Sequence, residues 1–203
     1  MNVLSLISTK GGSGKSTIAM SLSAAFAETK KVIVLDTDDQ ATLAEWFAAR
    51  HENPNLQMAQ VEAEKLPEIV PKLQGFDLVI IDTQGRGSPT TRVEANVADF
   101  VLIPCRPTIT DVRAAANTSA TVRESGTPFA FVTTQGHHMP GRSKQSEAAL
   151  VHLGPVCPVR IVARAEYQDA SVKSQGVTEY KPDGKGAAEI KQLVDWLNKQ
   201  MGS

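Results

Sequence analysis

Short apolar runs rich in β-branched residues recur along the chain, and longer amphipathic segments separate them. Five runs predict strands, at 2–8, 31–36, 76–82, 99–104 and 128–134. A weaker run at 156–162 contains Pro158, which is typical of an edge or irregular strand. The five runs are almost continuously hydrophobic, as expected of strands that are covered on both faces.

Segments with helical periodicity fill the gaps between these runs, and they lie at 16–28, 42–50, 62–73, 89–97, 110–124, 143–152, 166–174 and 185–201. This alternation with short connections predicts an α/β fold, with a mostly parallel, twisted sheet and helices on both faces. The sequence contains no long linker, low-complexity tract or internal repeat. We therefore expect residues 1–203 to form a single domain.

The last predicted helix is strongly amphipathic. Its apolar face consists of Ile190, Leu193, Val194, Leu197 and Met201. Its polar face carries two acidic and two basic residues, Glu189, Lys191, Asp195 and Lys199. A helix that lies on a membrane surface is expected to be basic on its polar face, so packing against the sheet is favoured.

Composition excludes several classes of protein. No apolar run approaches the roughly 20 residues of a membrane span, and no export signal pattern begins the chain. The formal net charge of −1 gives no global indication of nucleic-acid binding. Cys105 and Cys157 are far apart, which predicts two buried thiols in a reducing cytoplasm rather than a zinc or iron–sulfur site.

A glycine-rich segment lies between the first predicted strand and the first predicted helix. It consists of Lys10, Gly11, Gly12, Ser13, Gly14, Lys15, Ser16 and Thr17. Glycines in such a turn let backbone N–H groups face a phosphate. Lys15 would then reach the β- and γ-phosphates, and the Ser16 hydroxyl would ligate Mg²⁺. The sequence therefore predicts a nucleotide-binding P-loop.

The spacing differs from the usual P-loop pattern, because Thr9 stands where a glycine is expected and Lys10 adds a second lysine. The segment resembles the deviant Walker A motif of the ParA/MinD ATPases. That resemblance implies ATP as the nucleotide and a homodimer in the ATP state. It also implies that Lys10 crosses the dimer interface to the phosphates bound by the other subunit, where it acts in dimerisation and catalysis.

Carboxylates follow two of the predicted strands, where a parallel sheet binds ligands. The segment "LDTDDQ" at 35–40 resembles the switch I of the family, which implies Asp36 near the magnesium ion and Asp38 near the attacking water. Asp39 occupies a position where the family commonly has proline. The segment "LVIIDTQG" at 78–85 resembles Walker B and switch II, which places Asp82 at the magnesium ion. Gly85 and Gly87 would let switch II move.

The resemblance continues to the C-terminal end of the chain. Residues 103–117 resemble a segment that often lies at the dimer interface of the family. Residues 160–193 resemble a ParA pattern with matches at Arg164, Tyr167, Ala170, Gly176, Val177, Tyr180, Ala187, Ala188 and Glu189. His137 and His138 are interpreted as solvated loop residues, since no further metal ligands are evident near them.

Together these features predict a cytoplasmic Mg²⁺-dependent ATPase of the short ParA type, without an N-terminal helix-turn-helix. Such an ATPase would position plasmid or chromosomal DNA, or another large cargo, and would associate with the nucleoid when ATP-bound. A ParB-like or other adaptor would stimulate slow hydrolysis. Nonspecific DNA binding would use basic residues near the C-terminus, and the candidates are Arg160, Arg164, Lys173, Lys181 and Lys185.

Other functions are compatible with the same motifs. One is a MinD-like regulator that cycles on and off a membrane, although the neutral polar face of the last helix argues against it. Another is an ATP-gated scaffold with little turnover, because Asp39 departs from the usual switch I. A metabolic enzyme of the superfamily would need cluster-binding cysteines or a substrate pocket, and the sequence identifies neither.

Overall fold

The computed structural model describes residues 1–40, 42–85, 89–136 and 144–202. Its strands are β1 (Asn2–Leu6), β2 (Val32–Asp36), β3 (Leu56–Gln60), β4 (Leu78–Asp82), β5 (Phe100–Cys105), β6 (Phe129–Gly136) and β7 (Val156–Val162). They form one sheet in the order β3-β2-β4-β1-β5-β6-β7. Every pair of neighbouring strands is parallel. All the strands therefore end at one edge of the sheet.

The helices in the described ranges are α1 (Lys15–Phe26), α2 (Thr42–Ala48), α3 (Leu66–Ile69), α4 (Thr91–Asn96), α5 (Ile109–Ser125), α6 (Lys144–Leu153), α7 (Ala165–Val172), α8 (Val177–Tyr180) and α9 (Lys185–Met201). They cover both faces of the sheet. Leu4 packs in one hydrophobic cluster with Ile18 of α1 and Leu193 of α9. Its neighbour Val3 packs in another cluster with Leu66 of α3. The predicted α/β fold with helices on both faces is confirmed.

The sheet also contains a strand that the sequence did not predict. β3 is an edge strand in which only Leu56 is fully buried, so it lacks a continuous apolar run. The predicted helix at 62–73 is wrong as a continuous element. Two 3₁₀ turns, Ala63–Lys65 and Val70–Lys72, flank the single-turn helix α3. Pro67 and Pro71 cannot donate a backbone hydrogen bond, which breaks the helix into short turns.

The predicted run at 156–162 is β7, an edge strand, where Pro158 costs no central ladder bond. The last predicted helix matches α9, and Ile190, Leu193 and Leu197 are buried in the core. Because the chain itself covers this apolar face, α9 packs on the sheet as expected. None of the helices in the described part of the chain is both long and apolar enough to cross a membrane. Cys105 and Cys157 are buried free thiols, as predicted.

Gly176, the residue before α8, packs so closely against α1 that a larger side chain does not fit without a shift. A Cβ atom added to Gly176 would lie 2.4 Å from the Cβ of Ala24. The φ of Gly176 is −74°, so backbone strain plays no part. The Gly176→Ala variant should lose about 1–3 kcal/mol of unfolding free energy through overpacking, measured by urea denaturation.

The matched rescue is the double variant Gly176→Ala with Ala24→Gly, which removes the clash. Ala24→Gly carries its own helix-propensity cost of about 1 kcal/mol, for which Ala25→Gly is the control. The double variant should be more stable than the sum of the single effects allows. Strict additivity of the two substitutions would contradict the contact.

Candidate functional site

The glycine-rich segment forms a loop between β1 and α1. Gly12 and Gly14 have φ values of +73° and +97°, which side-chain-bearing residues rarely adopt. Gly14 is the N-cap of α1, and the first turn of this helix carries no acidic residue. The first N–H groups of a helix have no intrahelical partners and carry partial positive charge. The loop can therefore receive an anion such as a phosphate group.

Residues at the end of β6 hold this loop from one side. The Thr134 hydroxyl donates to the Ser13 carbonyl at 2.7 Å, and the Gln135 amide donates to the Gly12 carbonyl at 3.0 Å. Gln135 has a φ of +51°, an uncommon value for a residue other than glycine. The sequence analysis did not predict these contacts, although polar residues that end a parallel strand are a usable signal.

The departure at Thr9 has a structural explanation. The Thr9 hydroxyl lies 3.0 Å from the Thr118 hydroxyl and 3.3 Å from the Ala114 carbonyl oxygen, both on α5. The Thr9 backbone N–H also donates to the Thr118 hydroxyl at 3.3 Å. A glycine at this position would lose the side-chain contacts. Thr9 thus ties the start of the loop to α5.

Two buried carboxylates face each other across β2 and β4. Asp36 and Asp82 are direct partners in the strand register, and each is 1% exposed. Burial raises the pKa of Asp82 to about 7 and the pKa of Asp36 to about 6. The nearby Ser16 side chain acts in the opposite direction and lowers the pKa of Asp82. The three predicted magnesium residues therefore lie together at one edge of the sheet.

The donor set fits Mg²⁺. Asp36 Oδ2 and Asp82 Oδ1 are buried without a hydrogen-bond partner in the described part of the protein, and Mg²⁺ prefers such oxygen ligands. Within the same residues, no group of three or more His, Cys, Asp or Glu side chains could hold a metal by itself. Phosphate oxygens of a nucleotide would complete the shell beside Ser16. A bound ion would neutralise charge that develops on those phosphates.

Lys15 is the positive counterpart of these carboxylates. Its side chain is buried, and desolvation lowers the pKa of Lys15 although Asp82, Asp38 and Glu94 attract its charged form. The segment after β4 passes close to it, since a Cβ atom on Gly85 would lie 3.0 Å from Lys15 Nζ. Lys15 is thus held under the loop, where it can bind the phosphates.

Asp38 and Asp39 differ in their surroundings. The Asp38 backbone N–H donates to Asp36 Oδ1 at 3.0 Å, and Asp38 Oδ1 accepts from the Gln40 backbone N–H at 3.0 Å. Asp38 is half-buried, whereas Asp39 is exposed. Asp38 therefore faces the carboxylate pair from a well-defined turn, and Asp39 lies outside it.

Lys10 does not share the surroundings of Lys15. Lys10 Nζ lies 2.9 Å from Asp111 Oδ2 and 3.0 Å from the Thr110 hydroxyl, at the start of α5. Burial would raise the pKa of Asp111, but hydrogen bonds from Lys10, Thr108 and Arg106 outweigh it and hold that pKa below its usual value. The two lysines of one loop thus have separate partners.

A cavity of about 650 Å³ opens beside the loop. Gly14 and Thr17 of the glycine-rich loop and α1 line it on one side. The other lining residues come from the ends of β6 and β7 and from α7, among them Gln135, Ile161, Ala163, Tyr167 and Val172. Its size matches that of small-molecule sites, and the sequence analysis did not identify its walls. Gly87, His137 and His138 lie outside the described residues.

Most of the basic residues proposed for DNA binding have partners within the chain. Arg164 donates to Glu189 Oε1 through Nε at 2.9 Å and Nη2 at 2.6 Å, and the Tyr167 hydroxyl donates to Glu189 Oε2 at 3.0 Å. Arg160 pairs with Glu147 at 2.6 Å and Lys181 with Glu166 at 3.2 Å.

The two remaining candidates form no ion pair with the described residues. Lys173 is exposed, with its Nζ 5.0 Å from the centroid of the Tyr180 ring. Lys185 is exposed at the start of α9. The internal pairing of Arg164 also explains the C-terminal pattern of Arg, Tyr and Glu, because these three side chains bind one another.

Comparisons with known proteins agree with this geometry. The family model described as "VirC1 protein" matches residues 1–192. Maintenance of carboxysome distribution protein A from Gloeobacter kilaueensis is 27% identical over 92% of this chain and 88% of its own length. Protein virC1 from Rhizobium radiobacter is 30% identical over 58% of this chain and 54% of its own length.

A solved structure shares the fold. The septum site-determining protein MinD from Pyrococcus horikoshii, complexed with Mg-ADP, superposes with a TM-score of 0.81 at 20% sequence identity. The similarity covers 99% of this chain and 97% of that chain. With the deviant P-loop, the carboxylate pair and the match over residues 1–192, the chain belongs to the VirC1 family of ParA/MinD-type P-loop ATPases.

Proposed function

We propose that this protein is an ATPase that dimerises on binding ATP and positions DNA or another large cargo. The observation that carries the proposal is the separation of the two lysines in one loop. Lys15 is buried, and Asp82 attracts its charged form. Lys10 lies outside that pocket and forms an ion pair with Asp111. A lysine outside its own pocket can neutralise phosphates on a facing subunit.

In the proposed cycle, Lys15, Ser16 and the loop backbone bind Mg-ATP, with Asp36 and Asp82 at the ion. Two such subunits would repel through their phosphates unless cations lie between them. Lys10 would exchange Asp111 for the partner's phosphates. Asp111 keeps hydrogen bonds to Arg106 Nε and the Thr108 hydroxyl, so the departure of Lys10 does not leave a buried carboxylate unpaired. Asp38 would orient the attacking water.

The cargo is proposed by analogy with the relatives. One relative is named for carboxysome distribution and another is ParA of Rhizobium radiobacter. We propose a cytoplasmic protein whose ATP dimer binds nonspecific DNA on the nucleoid, with an adaptor of the ParB type that stimulates hydrolysis. A dimer would double any basic surface and so strengthen phosphate contacts.

Lys10→Ala should bind ATP with at most about threefold lower affinity and remain monomeric. The reason is that Lys10 would contact only the phosphates bound by the facing subunit. Sedimentation velocity with a non-hydrolysable ATP analogue and with ADP measures this. Wild type should dimerise with the ATP analogue alone. Lys15→Ala is the control that loses nucleotide binding itself. ATP-dependent dimers of Lys10→Ala would contradict the role of Lys10.

Asp38→Ala should retain ATP-dependent dimerisation but lose at least about tenfold in turnover, since positioning of a nucleophile typically contributes that much or more. Phosphate release under saturating ATP measures the rate. Asp39→Ala is the matched control, because it removes an adjacent but exposed carboxylate. Equal losses in both variants would refute the assignment of Asp38. Substantial turnover of the wild-type protein would argue against the ATP-gated scaffold with little turnover.

Lys173→Glu combined with Lys185→Glu should abolish retention of nonspecific duplex DNA by the ATP-analogue dimer at moderate salt, because phosphate contacts dominate such binding. Arg164 is unsuitable for this test, since its reversal would break the ion pair with Glu189. Lys31→Glu combined with Lys72→Glu, two exposed lysines outside the C-terminal segment, is the control for net charge, because both double variants change it by the same amount. Unchanged retention in the double variant would exclude this surface as the DNA site.

A further inference from the structure

Glu94 is a buried carboxylate for which the proposed cycle has no role. It lies on α4 and is 1% exposed. Its Oε1 atom accepts hydrogen bonds from the Thr37 hydroxyl at 3.1 Å and from the Thr90 hydroxyl at 3.2 Å. Its Oε2 atom is buried and has no hydrogen-bond partner among the described residues.

Packing alone does not explain a carboxyl group at this position. Burial of a polar oxygen without a partner is costly, and burial raises the pKa of Glu94 to about 7. An apolar side chain of similar size would fill the space without that cost. The two hydrogen bonds to threonine hydroxyls are what a carboxyl group adds here.

These hydrogen bonds join the two loops that flank the phosphate site. Thr37 lies between Asp36 and Asp38, in the loop after β2. Thr90 immediately precedes α4, in the segment that follows β4. The Thr37 hydroxyl also lies 3.2 Å from the Asp82 carbonyl oxygen. Glu94 therefore connects the loop that carries Asp38 to both the end of β4 and the start of α4.

An open cavity lies beside this connection. Thr37 and Thr90 line a cavity of about 660 Å³, together with Asp39, Gln84 and Pro89. On the other side, the Glu94 carboxylate attracts the charged form of Lys15, the buried lysine of the glycine-rich loop. Glu94 thus links Thr37 and Thr90 beside this cavity.

We propose that Glu94 is a positioning residue for ATP hydrolysis, which makes the loop carrying Asp38 and the start of α4 respond to the γ-phosphate as one unit. The inference rests on the proposed ATP cycle. Glu94 acts through Thr37 and Thr90 and contacts neither Lys15 nor the magnesium residues by a hydrogen bond in the described structure. Its loss should therefore affect turnover more than ATP binding.

The kinetic test compares Glu94→Ala with Glu94→Gln. Glu94→Ala should lower kcat about tenfold, because it removes both hydrogen bonds that connect the loop carrying Asp38 to the start of α4. It should change the KM for ATP and analogue-driven dimerisation by less than about threefold, since the phosphate contacts remain. Glu94→Gln should keep most of the turnover, because its amide oxygen can still accept from both hydroxyls.

Thr90→Val and Thr91→Val form a matched pair, because both remove a hydroxyl from adjacent positions and only Thr90 contacts Glu94. Thr90→Val should lower kcat and Thr91→Val should not. In the Glu94→Ala background, Thr90→Val should not lower kcat further. If Glu94→Ala does not fold, the comparison of Thr90→Val with Thr91→Val in the wild-type background still tests the proposal.

Three kinetic results would overturn the proposal. They are wild-type turnover in Glu94→Ala, equal effects of Thr90→Val and Thr91→Val, and losses of turnover and of ATP binding by the same factor. The last result would mean that Glu94 only stabilises the fold.

Hydrogen exchange separates this inference from the proposed function. With the ATP analogue bound to the wild-type protein, peptides covering 36–40 and 89–96 should become protected together, and in Glu94→Ala this coupling should be lost. If the wild-type protein does not hydrolyse ATP, the proposed function fails, and the exchange result still decides whether Glu94 couples the two segments on nucleotide binding. Coupled protection that persists in Glu94→Ala would overturn it.

Discussion

Buried negative charge at the ends of β2 and β4 is the constraint around which the site is organised. Asp36 and Asp82 are neighbours in the sheet, and each keeps an oxygen without a partner in the described structure. Two desolvated carboxylates stabilise a fold only if cations compensate them. Lys15 supplies one positive charge, and Mg²⁺ with its phosphate ligands would supply the rest. The site is therefore most stable when it is filled.

A glycine-rich loop can bind phosphate well only if other elements hold it in place, since glycine makes the unbound backbone flexible. Here Thr134 and Gln135 hold its carbonyl groups from β6, and Thr9 ties its start to α5. Preorganisation of this kind lowers the cost of binding and of catalysis. The same attachment to α5 keeps Lys10 beside Asp111 and away from the pocket of its own subunit.

The sequence predicted the parts of the fold that repeat a pattern and missed those that depend on context. Buried central strands are continuous apolar runs, whereas β3 has a single fully buried residue and gives no such signal. The segment predicted as a helix at 62–73 does bury Leu66 and Val70, but two prolines divide it into short turns. The sequence analysis interpreted Arg164 as a surface cation, because its partner Glu189 lies 25 residues away in the chain.

The same reasoning explains why Glu94 was invisible in the sequence. A residue that touches the nucleotide obeys the spacing that the phosphates impose, so Lys15 and Ser16 occur in a recognisable motif. A residue that acts through others faces no such local rule. Thr90 and Glu94 lie four residues apart at the start of α4, but Thr37 is 57 residues from Glu94, and only the pairing of β2 with β4 brings it there. Motifs therefore identify where the ATP chemistry occurs, whereas the residues that couple its moving parts emerge only from the fold.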